Sequence, residues 1–537
     1  MDVARVCPTR FGRADLLSVE APRLTDLRDG ALLVEHPSLP DDEANRAAIR
    51  LGRTLRDAGL AGLLDAIPGA RSLLLLFEPE KLPRERLVDE IEKAAARGEQ
   101  REEEARLHRI PVVYDGEDLA IVGERSRLAP EEIAALHARV SYRVAFVGFA
   151  PGFGYLSGLP PELATARLPS PRARVPQGSV GIGGAWTGIY PSTSPGGWRL
   201  IGRTSVRLFD ARADPPALLR AGDGVAFEAV KPGELPAPSA DSAAPEPSGR
   251  PLFRVISPGL FTSLQGQPRF GLGSFGVPAG GAMDTESLAA ANALAGNVSG
   301  AAALEMTIAG PELECLEETI LAVAGAGVDV SIGSRTAPFG EAFRAKAGEH
   351  VRCGRTVGGA RSYLAVRGGL APDLPAEMTR RIAHEDVLAA GASAARGHPA
   401  RASAAALPPE IRLRVVLGPE AERFSPAQID RFLESAWRIT SESDRRGLRL
   451  DGRPLESRGN LEISPAGMPW GSIEVPGNGL PIVLGPDGPV TGGYPRIAAV
   501  IGADLRMLGQ ARPGDSFRFM AVSLHEAILA RSRMSLP

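Results

Sequence analysis

A mostly β fold with a small α+β region at its amino terminus is predicted by three features of this sequence. From residue 110 onward, short strand-like segments are regularly interrupted by Gly and Pro, which is typical of barrels and sandwiches. Before that point, strand-like and helix-like segments alternate. The chain has 537 residues, 44% of them hydrophobic and 23% charged, so it is of ordinary globular composition and long enough for roughly two to four domains.

The amino-terminal segment, 1–105, is predicted to be the small α+β domain. Its strands are apolar runs and its helices have amphipathic spacing, the second helix being opened by Pro83. In chain order the predicted elements are a strand at 31–36, a helix at 42–59, a strand at 72–77 and a helix at 83–98. A charged run at 99–109, EQREEEARLHR, follows, and we interpret it as a solvated connection.

Residues 106–230 are predicted to form a first barrel, with one helix at 130–140. The next segment, 231–251, reads KPGELPAPSADSAAPEPSGRP. It is rich in Pro, Ala and Ser and almost free of large apolar residues, so it is predicted to be an extended linker. The linker leaves 252–537 as the second half of the chain.

The two halves carry similar short signals. AGDGVAFEAV at 221–230 is echoed by PGDSFRFMAV at 513–522, and TGIYP at 187–191 is echoed by TGGYP at 491–495. A weaker copy of the turn-and-strand signal, KAGEHVRCG, lies at 346–354. We infer related β-rich modules on both sides of the linker.

Composition disfavours several classes of function. A net charge of −3 indicates neither a nucleic-acid partner nor an anionic membrane surface. Cys7, Cys315 and Cys353 have no CxxC spacing, and the seven histidines are scattered, so neither a disulfide framework nor a metal site is expected. The first residues lack the apolar core of a signal peptide, and LLLLF at 73–77 is far too short to span a bilayer. We expect a soluble, cytoplasmic protein.

Familiar short motifs are absent or out of context. GLGSFG at 271–276 has the spacing of a dinucleotide fingerprint, but it lacks the preceding strand and the following helix that the fingerprint needs. The sequence contains no GxxxxGK[ST], HExxH or GxSxG. His137 lies on an Ala- and Leu-rich helix and is interpreted as structural.

Two Gly-rich loops are the best candidates for a site. The first is FVGFAPGFGYLSGLP at 146–160, with Arg172 and Arg174 nearby, and the second is LQGQPRFGLGSFGVPAGGAMD at 264–284, which contains Arg269. Arginine forks and unpaired backbone amides favour oxyanions, so each loop could hold a carboxylate or a phosphate. Barrel corners also need Gly and Pro, and on chemistry alone both interpretations stay open.

The longer motifs resemble two known families. FVGFAPGFGYLSGLP, PRARVPQGSVGI and TGIYPSTSPGGWRLIGRT resemble the KipI-like family, whose members are also called allophanate hydrolase subunit 1 or the 5-oxoprolinase B subunit. GVPAGGAMD, ANALAGNVSGAAALEMTIAGP, RSYLAVRGGL and LPIVLGPDGPVTGGYPRIAAVIGADL resemble the KipA-like family, whose members are also called allophanate hydrolase subunit 2 or the 5-oxoprolinase C subunit. The latter family is related to the carboxyltransferase domain of urea carboxylase. The match covers nearly the whole chain and indicates a fusion of the two subunits.

The resemblance implies a fold and a function. The fold would be two cyclophilin-like β-barrel halves with the small α+β domain at the amino terminus. The function would be ATP-dependent opening of 5-oxo-L-proline to L-glutamate, carried out with a separate, LamB/YcsF-like protein that serves as the A subunit. ATP, with Mg²⁺, is the implied cofactor, and a homo-oligomer is possible.

Site residues are carried over on the matching motifs. The candidates for catalysis are Arg172, Arg174, Gln265, Arg269 and Asp284. The three arginines would bind anionic groups and the glutamine would hydrogen-bond the lactam or its product. Asp284 could equally cap a helix that begins near Thr285, and Glu305 is a further acid/base candidate that we interpret as structural. The expected substrate or nucleotide contacts are Pro151, Gly152, Phe153, Tyr155, Tyr190, Trp198, position 279 (Ala279), Gly492, Gly493 and Tyr494.

The second half departs from its family pattern. Gly266 stands where the usual QD-x-GR has its acid, and the usual GSRST segment after RGGL is missing. We therefore expect the better-preserved site in the first half. A biotin-dependent carboxyl-transfer component and a KipI-type inhibitor of a histidine kinase remain as alternatives. The chain has no MKM-type biotin attachment sequence, so biotin would arrive on another protein.

Overall fold

The computed structural model describes residues 22–96, 105–237, 249–371, 379–393, 407–408, 410–459 and 462–534. These residues form four modules, which we call the amino-terminal module, the first barrel, the sheet module and the second barrel. The prediction of a mostly β chain with barrels and a small α+β region is confirmed. Cys7 and most of the predicted charged connection lie outside the described residues, as do residues 238–248 of the predicted linker.

The amino-terminal module is a four-stranded sheet of order β1-β2-β4-β3 with two helices. Its elements are β1 (Arg23–Arg28), β2 (Ala31–Glu35), α1 (Asp41–Asp57), β3 (Leu63–Pro68), β4 (Ser72–Phe77) and α2 (Arg84–Ala96). The four elements predicted here are confirmed to within two residues at each end. Every residue of β4 is buried, because Leu73 and Leu75 pack towards the helices while Leu74 and Leu76 pack with Ala466 of the second barrel.

The first barrel has the strand order β12-β9-β10-β7-β6-β13-β5, and a bridge between Val113 and Arg203 joins its two ends. Its elements are β5 (Leu107–Val112), α3 (Leu119–Ser126), α4 (Pro130–Arg139), β6 (Ser141–Val147), β7 (Gly154–Ser157), β8 (Arg172–Val175), β9 (Ser179–Gly183), β10 (Trp186–Ile189), β11 (Ser194–Gly196), β12 (Arg199–Arg203) and β13 (Gly224–Ala229). Strands β8 and β11 form a separate two-stranded ribbon, the first ribbon.

The helix predicted at 130–140 is α4, and its His137 is structural. The ring nitrogens of His137 are hydrogen-bonded to the hydroxyls of Tyr114 (2.8 Å) and Thr187 (2.9 Å), and the ring stacks on Phe227. Complete burial lowers the pKa of His137 to about 3, so the ring is neutral.

The sheet module is built around two long antiparallel strands, β18 and β21, with α5 packed against them. Its elements are β14 (Pro251–Ser257), β15 (Phe261–Gln265), α5 (Thr285–Ala295), β16 (Ala303–Thr307), β17 (Glu312–Cys315), β18 (Thr319–Ile332), β19 (Arg335–Ala337), β20 (Ala342–Ala345), β21 (His350–Val366) and β22 (Val387–Ala389). Cys315 and Cys353 are buried free thiols within it, and burial raises the pKa of both to about 12.

The second barrel is closed, with the order β23-β30-β27-β28-β25-β24-β31. Its elements are β23 (Ile411–Leu417), α6 (Pro426–Glu434), β24 (Trp437–Ile439), β25 (Gly447–Asp451), β26 (Ala466–Gly467), β27 (Ser472–Glu474), β28 (Ile482–Leu484), β29 (Thr491–Gly492), β30 (Arg496–Val500), α7 (Leu505–Gln510), β31 (Ser516–Ala521) and α8 (Leu524–Met534). Strands β26 and β29 form the second ribbon. No helix in the described part of the chain has both the length and the hydropathy to cross a membrane.

The two barrels match strand for strand, from β5 to β13 in the first and from β23 to β31 in the second. The predicted echo of 221–230 in 513–522 is confirmed, because β13 and β31 each lie between one parallel and one antiparallel neighbour. The echo of TGIYP in TGGYP is wrong as a structural equivalence. TGIYP runs along β10 of the main sheet, whereas TGGYP begins on β29 of the second ribbon. The weaker copy at 346–354 leads into the long strand β21 of the sheet module.

Candidate functional site

The first Gly-rich loop lies where the two halves of the chain meet. A Cβ at Gly148 would collide with the side chain of Thr491 in the second ribbon. The amide of Gly152 donates to the carbonyl of Phe275 in the second Gly-rich loop (2.9 Å). The glycines that the sequence concentrates here thus allow backbones of opposite halves to approach closely.

The second Gly-rich loop is fixed by a carboxylate of the amino-terminal module. Asp65 on β3 is buried, and it accepts hydrogen bonds from the amides of Gly271 (3.0 Å) and Gly273 (2.9 Å). Burial raises the pKa of Asp65, and these backbone hydrogen bonds oppose the rise. The segment 271–276 is a short loop with one 3-10 turn, not a strand followed by a helix. The two predicted loops therefore belong to one interface. The amino-terminal module, the first barrel and the sheet module contribute to it, and the second barrel contributes its TGGYP segment.

Four aromatic residues predicted as substrate or nucleotide contacts pack against one another. Phe153, Tyr155, Tyr190 and Trp198 are each at most 8% exposed. The ring centroids of Phe153 and Trp198 are 5.1 Å apart, and those of Phe153 and Tyr190 are 5.2 Å apart, both pairs being T-shaped. Burial raises the pKa of Tyr155 to about 12. These rings form a small core between the main sheet and the first ribbon. The exposed aromatic faces nearby belong instead to Phe149 and Tyr494.

The predicted arginines of the first half differ in their surroundings. Arg172 donates to both carboxylate oxygens of buried Asp118, at 2.9 Å each, and its Nε lies 2.7 Å from Glu117. Its charge is therefore already balanced within the first barrel. Arg174 is exposed, and Pro151 is half-buried beside Gly152.

Arg167, which the sequence did not single out, is an arginine of the first barrel whose charge acts on residues of both halves. Burial raises the pKa values of Tyr155, Tyr190 and Tyr494, and the positive charge of Arg167 opposes the rise at all three. Two of these tyrosines belong to the first barrel and one to the second. Arg167 is exposed and makes no hydrogen bond or ion pair with any residue that the structure describes. It is therefore free to bind an anion.

Glu474 is the second residue that sequence reasoning missed. It lies on β27 and is 7% exposed, yet within the described ranges its carboxylate has neither a hydrogen bond nor an ion pair. Burial raises its pKa to about 7, against the opposing charges of Arg449 and Arg496. Arg496 is already engaged by Glu420 at 2.7 and 2.9 Å. The available sequence signal was one acid inside an otherwise apolar strand, GSIEVPG.

Tyr494 links these two groups. Burial is the main cause of its raised pKa, and the negative charge of Glu474 adds to it while Arg167 opposes it. Tyr494, which is 40% exposed, thus lies within the electrostatic reach of a cation of the first barrel and of a carboxyl whose pKa is about 7. This arrangement can bind an anionic group at one end and exchange a proton at the other.

Two predicted residues of the sheet module, Gln265 and Asp284, make hydrogen bonds within that module and to α7 of the second barrel. Gln265 is buried and donates to the hydroxyls of Ser263 and Thr379, both at 3.1 Å. Asp284 caps α5, accepting from the amide of Ser287 (3.0 Å), and it also accepts from Gln510 (2.7 Å). The capping role that the sequence offered for Asp284 is confirmed.

A buried ion network holds the Gly-rich segment around Arg269 and Ala279. Arg445 donates to Glu305 (2.6 Å), to Asp487 (2.8 Å) and to the carbonyl of Gly281 (2.7 Å). Burial alone would raise the pKa of Glu305, but the charge of Arg445, with that of a second arginine, outweighs it and lowers the pKa. Glu305 is therefore an ionised structural carboxylate. The backbone amide of Arg269 donates to the carbonyl of Ala279 (2.7 Å).

The predicted candidates therefore separate into two groups. The loop 148–153 and the TGGYP segment, including Gly492, Gly493 and Tyr494, come together at the contact between the halves. Gln265 and Asp284 make their described hydrogen bonds away from that loop. Within the described ranges, no group of three or more His, Cys, Asp or Glu residues is arranged to hold a metal ion.

The fold is that of a carboxyltransferase-type protein. The family model "Carboxyltransferase domain, subdomain C and D" matches residues 22–219, and "Carboxyltransferase domain, subdomain A and B" matches residues 275–521. The first model covers the amino-terminal module and most of the first barrel. The second covers most of the sheet module and the second barrel.

The chain belongs to the family of 5-oxoprolinase B and C subunits, here joined in one polypeptide. It is 44% identical to the 5-oxoprolinase B subunit of Escherichia coli O157:H7 over 34% of this chain and 85% of that protein. It is 35% identical to the 5-oxoprolinase C subunit of Escherichia coli K12 over 52% of this chain and 94% of that protein.

Two further matches extend the comparison. The crystal structure of TTHA0988 superposes with a TM-score of 0.81 at 36% identity, over 91% of this chain and 99% of that one. Urea amidolyase of Lachancea kluyveri is 30% identical over 51% of this chain, but the match spans only 17% of that protein.

Proposed function

We propose that this chain is the joined B and C component of an ATP-dependent, 5-oxoprolinase-like enzyme that opens 5-oxo-L-proline to L-glutamate. A separate, LamB/YcsF-like A subunit would complete the enzyme. The observation that carries the proposal is that the charges of Arg167 in the first barrel and of Glu474 in the second barrel both act on Tyr494, whose ring is 40% exposed. The guanidinium of Arg167 suits the carboxylate of such a substrate, and the carboxyl of Glu474, whose pKa is about 7, suits proton exchange with its amide bond.

Each of these residues has a role that its surroundings support. Arg167 would bind the carboxylate of 5-oxoproline, since its guanidinium has no partner among the described residues. Glu474 would exchange a proton with the amide that opens, because its pKa of about 7 leaves both protonation states populated near neutral pH. Tyr494 would hydrogen-bond the substrate between them.

ATP would supply the phosphoryl group that activates the poorly electrophilic lactam carbonyl. Arg174, which is exposed on β8 of the first ribbon, would be the arginine that binds its phosphates. Mg²⁺ commonly keeps several water and phosphate ligands and needs only one or two carboxylates. Glu474 and Glu462, whose charges both act on Tyr494, are the carboxylates at hand.

The test is ADP release and glutamate formation by the purified chain together with its candidate LamB/YcsF-like partner, with and without 5-oxo-L-proline. We expect release that depends on 5-oxoproline, and a fall in kcat of about a hundredfold or more for Glu474→Gln. Glu434→Gln, an exposed glutamate at the end of α6, is the matched control and should keep full activity. The proposal fails if the folded, associated complex shows no 5-oxoproline-dependent turnover.

Carboxyl transfer is the second candidate function. It is favoured by the carboxyltransferase family models and by the match to urea amidolyase. Biotin would have to arrive on a separate carrier protein. Transfer of carboxylate from a carboxylated biotin carrier to a small amide, without the LamB/YcsF-like partner, would favour this function over lactam opening.

A further inference from the structure

Phe149, in the middle of the first Gly-rich loop, has a backbone conformation that phenylalanine rarely adopts. Its φ is +66°, and the amide of Ala150 donates to the carbonyl of Gly148 across it (2.8 Å). This is a γ-turn of the positive-φ kind, which is rare and strained. Such conformations persist only where the surrounding structure imposes them, and they cluster at functional sites.

The loop cannot relax, because both halves of the chain hold it. Gly148 abuts Thr491, and a Cβ at Gly276 would lie 2.6 Å from the carbonyl oxygen of Ala150. The hydrogen bond from Gly152 to Phe275 fixes the loop on its other side. The strain at Phe149 is therefore maintained by contacts between the halves.

Ile308 shows the same turn with an evident structural cause. Its φ is +65°, and the amide of Ala309 donates to the carbonyl of Thr307 (2.7 Å). The backbone of Ile308 is also hydrogen-bonded on both sides, to Ala360 and Thr356 of β21, at 2.8 Å each. Sheet pairing therefore accounts for the turn at Ile308.

What the turn at Phe149 achieves is the display of an aromatic ring. The ring of Phe149 is 41% exposed, and it makes T-shaped contacts with Phe153 (5.3 Å between centroids) and Tyr190 (6.3 Å). Tyr190 is the same tyrosine on which the charge of Arg167 acts. Tyr190 thus contacts an exposed apolar ring and also experiences the charge of an exposed arginine.

We propose that Phe149 is a specificity-determining residue whose ring packs against the apolar face of a small cyclic substrate that carries a carboxylate. This inference rests on the proposed function and adds a substrate contact to it. The methylene groups of a five-membered lactam would lie on the phenyl ring while its carboxylate reaches Arg167. Arg167 alone would accept any small carboxylate, so the ring supplies the selection for a cyclic one.

The experiment compares Phe149→Gly, Phe149→Tyr and Ile308→Gly in the complete enzyme, with the LamB/YcsF-like partner present. Glycine adopts a positive φ without strain, so Phe149→Gly removes the ring while relieving the turn. Ile308→Gly is the matched control, since it relieves the same turn in the sheet module. We expect Phe149→Gly to raise KM for 5-oxoproline about tenfold with kcat within about twofold, the loss of one apolar ring contact. Phe149→Tyr and Ile308→Gly should keep the KM of the unaltered chain.

The outcomes separate this inference from the function on which it rests. An unaltered chain without 5-oxoproline-dependent turnover overturns the proposed function and the contact together. Normal turnover with an unchanged KM in Phe149→Gly overturns the contact alone. An equal rise in KM in Ile308→Gly also overturns it, because relief of strain rather than loss of the ring would then be the cause.

Discussion

The two barrels have the same nine strands and use the same face differently. Each places a two-stranded ribbon over the outside of its main sheet. In the first barrel the ribbon covers aromatic rings, and Arg172 on β8 donates to the carbonyl of Trp198 beneath it (3.3 Å). In the second barrel, Arg496 donates to the carbonyl of Gly467 in the ribbon (2.9 Å), and Glu474 lies beside it in register.

The difference shows that the same fold can serve stability in one barrel and chemistry in the other. Packing under the first ribbon removes the apolar surface of the aromatic rings from contact with water. The rings therefore stabilise the fold and hold the loop 148–153 in place. Glu474 is buried without a hydrogen bond or ion pair among the described residues, and such a carboxyl destabilises the fold whenever it is charged. Such a group is expected where it has a function to perform. The two faces should therefore respond in opposite directions to substitution.

The largest effect is expected in the first barrel. Trp198→Ala removes a side chain that is 4% exposed and packed against Phe153 and Tyr155. It should cost about 3–5 kcal/mol of unfolding free energy, the range for a large aromatic removed from a core. The measurement is the urea midpoint of the first transition followed by circular dichroism. Trp186→Ala, a half-buried ring on the same face, should cost less than half as much. Equal losses would mean that the rings under the first ribbon do not form a core.

A smaller effect of opposite sign is expected in the second barrel. The native pKa of Glu474 is about 7, above its ordinary value of 4.5, so the native state binds more protons than the unfolded state between these values. The stability that the group contributes is therefore lost as pH rises through that window. Glu474→Gln cannot ionise, and it should exceed the unaltered chain in stability by about 2–3 kcal/mol at pH 8 but hardly at pH 4.

Urea midpoints of both proteins at pH 4, 6 and 8 measure this directly. The other titrating groups are common to both chains, so the difference between the chains isolates Glu474. A stability difference that does not change with pH would contradict the raised pKa. Together with the loss of turnover expected for the same variant, a gain in stability would show that Glu474 is retained for chemistry.

Local features of the fold could be predicted from the sequence, and the site only in part. The leucine run of β4 and the spacing of apolar residues along α1 and α2 can be recognised in the sequence, because burial of one face dictates the pattern of apolar residues. The helix cap at Asp284 follows from residue type and position. The Gly-rich loops were found for the same reason, since close backbone approach needs glycine.

Arg167 and Glu474 could not be found in this way. They belong to different barrels, and only the packing of the two halves lets the charge of Arg167 act on Tyr494, which like Glu474 is a residue of the second barrel. Arg172 drew attention because it lies in a specific motif, but its charge is balanced by Asp118, which no local pattern reveals. The likeness of TGIYP and TGGYP misled for a related reason, because turn sequences depend on local dihedrals and not on which strands follow.

The smallest effect on stability, and the sharpest test of the link between the barrels, is expected at Arg167. Arg167→Met keeps the length of the side chain and removes a charge that has no partner among the described residues, so stability should change by less than about 0.5 kcal/mol. Binding of 5-oxoproline, measured by calorimetry, should weaken about 10- to 100-fold, the value of a hydrogen bond to a charged group. Arg109→Met, an exposed arginine of β5, is the control and should leave binding unchanged. Arg172→Met should behave differently again, because it leaves buried Asp118 with only the more distant guanidinium of Arg199 (3.7 Å) and so lowers stability. If Arg167→Met binds normally while Arg172→Met binds poorly at full stability, the anion site lies under the first ribbon and not between the barrels.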